Sequence, residues 1–235
     1  MIESKYKIEK KVTKNELTEI KRWLKKESTI DKGFYHNWDI IENANLKNEI
    51  FIIKKESEVV GFLVWTDKEI CAEIDIFEIK PEHRRKGIGE FFYVEFCKYL
   101  RQHNFCVVRL FCEPKESEKF WIRMNFIKFP DIKYSIPKLT YYKPLIEINK
   151  PTTEIDNDNK LELWNCEPHE IKNNEPKWSW NIDAEIFYPI LNPYNPNWYI
   201  RLTKKGKIVK EEKVKRFDNN REIEFGSFIY IKEPF

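Results

Sequence analysis

The pattern of apolar and polar residues changes near residue 150. Before it, strand-like apolar runs alternate with segments in which apolar residues recur every three or four positions, as in helices. After it, short strand-like runs follow one another without a clear helical pattern. A polar, turn-prone segment, NKPTTEIDNDNK at 149–160, separates the two parts. The pattern predicts a first domain at 1–148, a linker at 149–159 and a second domain at 160–235.

The first domain is expected to mix strands and helices. Strands are predicted at 6–12, 49–55, 59–65, 70–79, 106–112 and 139–148. Helices are predicted at 13–26, 35–45, 86–100 and 115–125. Thr13 and Glu16 have capping-box spacing at the start of the first helix. The residues ESE at 56–58 predict a hairpin between two of the strands.

The second domain is expected to be a small β barrel or sandwich. Its predicted strands are 161–166, 178–183, 197–217 and 221–231, with a hairpin turn at 204–207, a bulge at Gly226 and a proline-rich loop at 191–198. Four of the eight tryptophans occur here, and core packing is the simpler interpretation of them. The alternative is a platform that stacks bases or sugars, formed by Trp178, Trp180, Trp198, Tyr199, Arg201 and Lys204.

Composition narrows the class of protein. The net charge of +3 argues against a general nucleic-acid binder, whose domain is usually strongly basic. No apolar run reaches the length of a membrane span, and the N-terminus MIESKYKIEKKV has no apolar signal core. The five cysteines lack CxxC spacing, and the four histidines show no HxH or HExxH pattern. We therefore expect a cytoplasmic protein with reduced thiols, no metal site and no membrane contact.

The main chemical signal is the stretch HRRKGIGEFF at 83–92, between a predicted strand and a predicted helix. The first N–H groups of a helix lack partners and attract anions, and glycines let the backbone approach a phosphate. Neither the P-loop pattern nor the third glycine of the dinucleotide fingerprint is present. Two interpretations stay open, a phosphate cradle and a solvated basic turn.

The pattern [Q/R]-x-x-G-x-G at this place resembles the acetyl-CoA loop of the GNAT N-acetyltransferase superfamily. VVGFLVW at 59–65 is similar to the family's glycine-containing hairpin strand, and CEPKESEKFWIRMNF at 112–126 is similar to its later strand end and short helix. The resemblance covers residues 5–147 in the family's order. It implies an α+β fold in which helices flank a central, mostly antiparallel sheet, with the all-β domain as a smaller addition.

The resemblance implies acetyl-CoA as the cosubstrate. Backbone N–H groups from Arg84 to Gly89 would bind the pyrophosphate, and the pantetheine arm would lie along Phe77–Ile79 as an added strand. Backbone groups there could also polarise the thioester carbonyl. The expected cofactor contacts are Phe77, Ile79, Arg84, Arg85, Lys86, Gly87, Ile88, Gly89, Ser117 and Trp121.

Glu73 is the expected general base, since some family members carry a glutamate on this strand eleven residues before the loop motif, the separation of Glu73 from Arg84. Residues 73, 75, 77 and 79 are expected to share one face, which places Asp75 beside Glu73. Like charges raise one pKa, which suits a base. The alternatives are solvated charges, cross-strand partners for lysines, or a base role for Asp75, Glu78 or a relayed water.

The chain departs from the family where many members carry a tyrosine that protonates the leaving thiolate. Trp121 occupies that position, and an indole N–H is not a usable acid. Water would have to serve instead, or one of the tyrosines Tyr93, Tyr134, Tyr141 and Tyr142. Asn125 replaces a glycine before Phe126, and asparagine tolerates a positive φ.

The resemblance thus implies an N-acetyltransferase that moves an acetyl group from acetyl-CoA to a primary amine by direct attack in a ternary complex. Two alternatives remain: a catalytically inactive acyl-CoA-binding protein that recruits a partner, and a nucleic-acid-associated protein that acts through the Trp-rich domain. Substrate selection or oligomer contact is expected of the second domain. The sequence is compatible with a monomer and with a homo-oligomer.

Overall fold

The computed structural model describes residues 5–28, 33–130, 139–182, 188–217 and 227–233. Within these residues the chain forms two compact units. The first comprises the described residues up to 129 and from 139 to 145, and the second comprises Pro130 and the described residues from 146 onward. No helix in these ranges is long and apolar enough to cross a membrane.

The first unit is a seven-stranded sheet with helices on both faces. Its strands are β1 (Tyr6–Glu9), β2 (Ile50–Lys55), β3 (Glu58–Lys68), β4 (Cys71–Ile79), β5 (Val107–Phe111), β6 (Ile127–Lys128) and β7 (Thr140–Pro144). Its helices are α1 (Lys14–Ser28), α2 (Trp38–Lys47), α3 (Ile88–Gln102) and α4 (Glu118–Arg123). The strand order is β1-β2-β3-β4-β5-β7-β6, and β4 and β5 pair in parallel whereas the other described pairs are antiparallel. The expected mixed fold with a mostly antiparallel sheet is confirmed.

Two apolar clusters hold the helices on the sheet. Helix α3, whose predicted range was 86–100, packs on one face, where its apolar residues Ile88, Phe92, Phe96 and Leu100 recur every four positions and are buried. The other face is covered by α1 and α2. Strand β3 serves both clusters because successive side chains point to opposite faces: Leu63 joins the α3 cluster and Phe62 joins the other.

The capping box at the start of α1 forms as predicted. Thr13 N–H donates to Glu16 Oε2 at 2.8 Å, and Glu16 N–H donates to Thr13 Oγ1 at 3.3 Å. Burial opposes ionisation of Glu16, but hydrogen bonds from Lys54 and Thr13 outweigh it and hold the pKa of Glu16 below its ordinary value. The helix runs two residues beyond the predicted end, to Ser28.

A close approach between β3 and the end of β4 explains the glycine in the hairpin strand. A Cβ atom on Gly61 would lie 2.5 Å from Ile79 Cδ1 and 2.8 Å from the carbonyl oxygen of Glu78. The register of β2 and β3 also shifts by one residue just before this point, as in a β-bulge. The predicted hairpin between β2 and β3 is confirmed, with Glu56 at a positive φ in its turn.

The second unit contains two separate antiparallel sheets. Its strands are β8 (Lys160–Trp164), β9 (Trp178–Asn181), β10 (Ile190–Pro193), β11 (Tyr199–Lys204), β12 (Lys207–Lys213) and β13 (Phe228–Ile231), and its one described α-helix is α5 (Val214–Phe217). One sheet has the order β12-β11-β8-β9, and the other pairs β10 with β13. The predicted hairpin turn is confirmed, with Lys205 and Gly206 at positive φ. Gly226 and most of the predicted strand at 221–231 lie outside the described residues.

Three predictions for this unit were wrong. Part of the proline-rich loop is a strand, since Pro193 ends β10 in a two-stranded sheet whose outer edge tolerates a missing N–H. The predicted strand at 197–217 ends early, because Val214 N–H donates to the Trp198 carbonyl and the chain turns into α5. Pro168–Asn173 forms a 3₁₀ helix where no helix was expected, with Glu167 and Glu170 as a capping box.

The segment at 149–159 is hydrogen-bonded to the second unit. Thr152 N–H donates to the Ser179 carbonyl at 2.7 Å, and Trp180 Nε1–H donates to the Asn149 carbonyl at 3.2 Å. Trp164, Trp180 and Trp198 are buried, as the core-packing interpretation expects. Among the four tryptophans only Trp178, which stacks on Trp198, is half-buried, and Tyr199 of the alternative platform is half-buried as well.

Candidate active site

The candidate site lies where β4 separates from β5. The two strands are in register from Cys71 to Ile74. Strand β4 then continues to Ile79 without β5 beside it, although it stays paired with β3 on its other side. On the other side of β4, Trp65 of β3 pairs with Ile74 but Val64 pairs with Ile76, which leaves Asp75 as the extra residue of a bulge. The bulge and the separation of the strands coincide.

The bulge contradicts the expectation that residues 73, 75, 77 and 79 share one face. Ala72 and Ile74 pack in the α3 cluster, so Glu73 points to the opposite face, toward α1 and α2. After the bulge the parity is reversed, and Phe77 and Ile79 also pack toward α3. The strict alternation of a strand does not hold across an inserted residue, and the candidate base and the cofactor-facing side chains therefore lie on different faces.

Glu73 is held by a cross-strand ion pair. Arg109 Nη2 donates to Glu73 Oε2 at 2.7 Å, and the two residues are register partners in β4 and β5. The sequence analysis considered a cross-strand lysine as a partner of Glu73, whereas the partner is Arg109. A single charged residue inside the apolar strand VVRLF was the sequence signal for it.

Asp75 has a different environment. Thr66 Oγ1 donates to Asp75 Oδ2 at 2.7 Å. Desolvation by its neighbours raises the pKa of Asp75, and the negative charges of Glu73 and Glu49 add to the rise. Asp75 is nevertheless exposed to solvent. The expected effect of neighbouring carboxylates is thus found, at Asp75.

The loop after β4 presents backbone donors at the start of α3. Gly87 caps the helix with φ +77°, in the left-handed region that glycine adopts freely. Phe91 N–H donates to the Gly87 carbonyl at 3.0 Å. The N–H groups of Ile88, Gly89 and Glu90 precede this helical hydrogen bond and are available to an anion. The N–H of Arg84 is already donated to the Pro81 carbonyl at 3.2 Å.

The three cations of the loop have different roles. Arg84 donates from Nε to the Ile79 carbonyl at 2.7 Å and from Nη2 to Glu78 and Glu27 at 2.7 and 3.1 Å. Lys86 Nζ donates to the Glu82 carbonyl at 2.6 Å. Arg85, at φ +60°, is exposed and makes no ion pair with the described residues. Arg85 is therefore the cation of the loop that is readiest to meet a phosphate.

Aromatic side chains line the α3 side of the same region. Phe77 stacks on Phe120 of α4 with ring centroids 5.8 Å apart. Trp121 is buried against Phe77 and Tyr93, and so the position of the family tyrosine is filled by a core residue. A Cβ atom on Gly89 would meet Phe77, Ile79 and Phe120 at 3.6–3.7 Å, which is ordinary contact.

The remaining expected residues lie in or near this region. Ser117 is the N-cap residue of α4, and its Oγ donates to the Pro114 carbonyl at 2.8 Å. Tyr141 donates to Glu118, and burial together with this carboxylate raises the pKa of Tyr141 to about 12. Burial likewise raises the pKa of Tyr93, and it raises the pKa of Tyr142 to about 12.

Among the candidate acids, Tyr142 is the one in register with the polar row. It pairs with Arg109, which pairs with Glu73, so the three residues follow one another across β7, β5 and β4. Tyr134, the fourth tyrosine named from the sequence, lies outside the described residues.

Residues 16–126 match the model of the acetyltransferase (GNAT) family. No curated protein matches the sequence significantly. Among solved structures, a GNAT-family acetyltransferase from Staphylococcus aureus Mu50 is similar, with 14% identity and a TM-score of 0.49 over 60% of this chain and 99% of that one. N-acetylglutamate synthase from Neisseria gonorrhoeae, complexed with coenzyme A and N-acetylglutamate, has 12% identity and a TM-score of 0.50 over 60% of this chain and 35% of that one.

PaiA N-acetyltransferase from Thermoplasma acidophilum, in complex with coenzyme A, is similar with 17% identity and a TM-score of 0.45 over 59% of this chain and 98% of that one. At these identities the likenesses concern the fold alone. The family model ends at residue 126 and does not reach the second unit. The match to the GNAT acetyltransferase family, an acyltransferase family, therefore concerns residues 16–126 of the chain.

Proposed function

We propose that this protein transfers an acetyl group from acetyl-CoA to a primary amine. The observation that carries the proposal is the loop at the end of β4, where a glycine in the left-handed region opens α3 beside the exposed Arg85. This arrangement fits a pyrophosphate, because it offers consecutive backbone N–H groups, the positive end of a helix dipole and Arg85. The family match to residues 16–126 supports the same cosubstrate.

Different segments of the chain would bind different parts of acetyl-CoA. Backbone groups from Arg85 to Gly89 would hold the pyrophosphate, and the edge of β4 at Phe77–Ile79 would hold the pantetheine arm as an added strand. The separation of β4 from β5 supports this placement, since β4 runs five residues beyond its last registered pair with β5. Acetyl-CoA supplies an activated acetyl group as its thioester.

Asp75 is the better candidate for the general base. An amine must lose a proton before or during attack, and a carboxylate with a raised pKa takes that proton more readily at neutral pH. Glu73 would act beside it, with its own carboxylate tied to Arg109. This differs from the sequence-based expectation, in which Glu73 took the proton. Direct attack in a ternary complex remains the proposed mechanism.

Other parts of the proposal concern the whole protein. The two-domain division and an accessory role of the second unit in substrate selection or oligomer contact remain proposals. A cytoplasmic location is proposed from the five cysteines, which are all free. The burial of Trp164, Trp180 and Trp198 weighs against the nucleic-acid alternative. An inactive acyl-CoA-binding protein would bind the cosubstrate without turnover.

The test is acetyl-CoA binding by calorimetry to the wild type, Gly87→Ala and Gly206→Ala. Both glycines have a positive φ, but Gly206 lies in the hairpin between β11 and β12 of the second unit. A Cβ disfavours this backbone by about 1–2 kcal/mol, so the loop of free Gly87→Ala should relax away from it. Restoring the loop on binding should then weaken binding about tenfold. Gly206→Ala should bind like the wild type. No binding by the wild type, or equal loss in both variants, would contradict the proposed cofactor site.

A further inference from the structure

The backbone of Ile79 is already engaged on the edge that the pantetheine arm would use. Lys80 N–H donates to the Val60 carbonyl at 2.9 Å and so points toward β3. Because N–H and C=O groups alternate in direction along a strand, those of Ile79 point away from β3, to the open edge of β4. Ile79 N–H donates to Glu78 Oε1 at 3.1 Å, and the Ile79 carbonyl accepts from Arg84 Nε at 2.7 Å.

Glu78, Ile79 and Arg84 thereby form a closed ring. The same Glu78 Oε1 that accepts from Ile79 also accepts from Arg84 Nη2 at 2.7 Å. Two side chains thus supply one acceptor and one donor to a strand residue, which is what a neighbouring strand would supply. We call this arrangement, made of Glu78, Arg84 and the Ile79 backbone, the edge latch.

The edge latch is anchored to α1 from outside the sheet. Arg84 Nη2 also donates to Glu27 Oε1 at 3.1 Å, and Glu27 Oε2 accepts from Trp23 Nε1 at 2.9 Å. The side chains of Glu27 and Glu78 are 11% and 15% exposed, whereas that of Arg84 is 44% exposed. Burial raises the pKa of Glu78, and the attraction of Arg84 only partly offsets this. Keeping Glu78 ionised therefore costs free energy, because its carboxylate is largely buried and lies beside that of Glu27.

We propose that Glu78 and Arg84 are positioning residues that occupy the pantetheine-binding edge in the free protein and are displaced from it by the arm of the acyl-CoA. This rests on the proposed function. The carbonyl of one amide of the arm would replace Glu78 Oε1 at the Ile79 N–H, and the N–H of the arm's other amide would replace Arg84 Nε at the Ile79 carbonyl. The edge latch keeps both groups satisfied while the site is empty, and it sets the affinity for the donor without taking part in bond formation.

The test compares Glu78→Ala with Glu78→Gln. Alanine removes the acceptor from the Ile79 N–H, while glutamine keeps an oxygen there and removes only the charge. A net hydrogen bond corresponds to a binding change of about threefold to tenfold. We expect Glu78→Ala to lower the Kd and the KM for acetyl-CoA by about that factor with kcat unchanged, and Glu78→Gln to change both by less. Glu42→Ala, which removes an exposed carboxylate of α2, controls for the change in net charge and should leave both constants unchanged.

The ¹⁵N–¹H resonance of Ile79 gives a second measurement on the wild type. It should shift when acetyl-CoA is added and should shift in free Glu78→Ala. If the wild type binds acetyl-CoA but Glu78→Ala binds equally or more weakly, the edge latch is wrong and the proposed function stands. An Ile79 resonance that does not shift when acetyl-CoA binds would likewise contradict the edge latch and leave the proposed function standing. This measurement uses the wild type and does not depend on whether Glu78→Ala folds. Absence of acetyl-CoA binding by the wild type would overturn both.

Discussion

The two carboxylates at the bulge of β4 differ in what holds them. Glu73 is paired with Arg109 at 2.7 Å, whereas Asp75 accepts a hydrogen bond from a neutral hydroxyl of Thr66. The negative charge of Glu73 contributes to the raised pKa of Asp75. Glu73 therefore acts on Asp75 through its charge even if it never touches the acceptor amine, and the two roles can be separated by their dependence on pH.

We expect Asp75→Asn to lower kcat by about 10²–10⁴-fold, the usual contribution of a general base. A base works in its deprotonated form, so the wild-type activity should rise with pH through the raised pKa of Asp75. Glu73→Gln removes a like charge, lowers that pKa and should move the rise in kcat/KM to lower pH. The measurement is kcat/KM against pH for both variants.

Asp67→Asn is the control for a change of charge on the same hairpin, because its Oδ1 accepts only from the nearby Glu69 N–H among the hydrogen bonds of the described residues. It should leave kcat unchanged. A full loss of activity in Glu73→Gln, with Asp75→Asn active, would return the role of base to Glu73.

Two glycines of the first unit, Gly61 and Gly89, differ in how much space a side chain would find. Gly61 lies in β3 under the end of β4, where a Cβ would lie within 2.8 Å of the Glu78 carbonyl oxygen. Gly89 lies in the first turn of α3, where a Cβ would make ordinary contacts of 3.6–3.7 Å. The strand glycine is thus required by the fold, and the helix glycine is not.

Gly61→Ala should therefore destabilise the protein by about 1–3 kcal/mol, the usual effect of an overpacked site. Gly89→Ala should leave stability unchanged or raise it, since alanine favours a helix more than glycine does. Thermal unfolding followed by circular dichroism measures both. Equal stability of Gly61→Ala and the wild type would mean that the end of β4 can move away from β3 without loss.

The elements that local sequence determines were predicted well. The capping box of Thr13 and Glu16 and the apolar stripe of α3 depend on neighbours within a turn or two, and both are found. The GNAT-like order and the acyltransferase class were also confirmed. The reversed faces after Asp75 could not be predicted, because the bulge arises from the register between β4 and β3. The ring at Ile79 likewise joins β4 to the distant α1.

At the scale of the whole chain, the sequence pattern indicates a function for the first unit but not for the second. The first unit carries a loop whose glycines and cations point to one chemistry. The second unit is built from short strands whose tryptophans pack inward, and packing residues carry little information about a ligand. The boundary of the second unit is therefore better defined by hydrogen bonds than by composition. Hydrogen bonds connect residues 149–156 to β9.

We expect a fragment of residues 146–235 to be more stable than a fragment of residues 160–235. The shorter fragment loses the Asn149 carbonyl that accepts from the buried Trp180 indole and the Thr152 N–H that donates to Ser179. An unsatisfied buried donor costs about 1–3 kcal/mol, which should appear as a lower Tm in circular dichroism. The variant Thr152→Pro in the longer fragment removes the N–H alone and should fall between the two. Equal Tm values for both fragments would instead support a boundary at residue 160, with 149–159 acting as a linker.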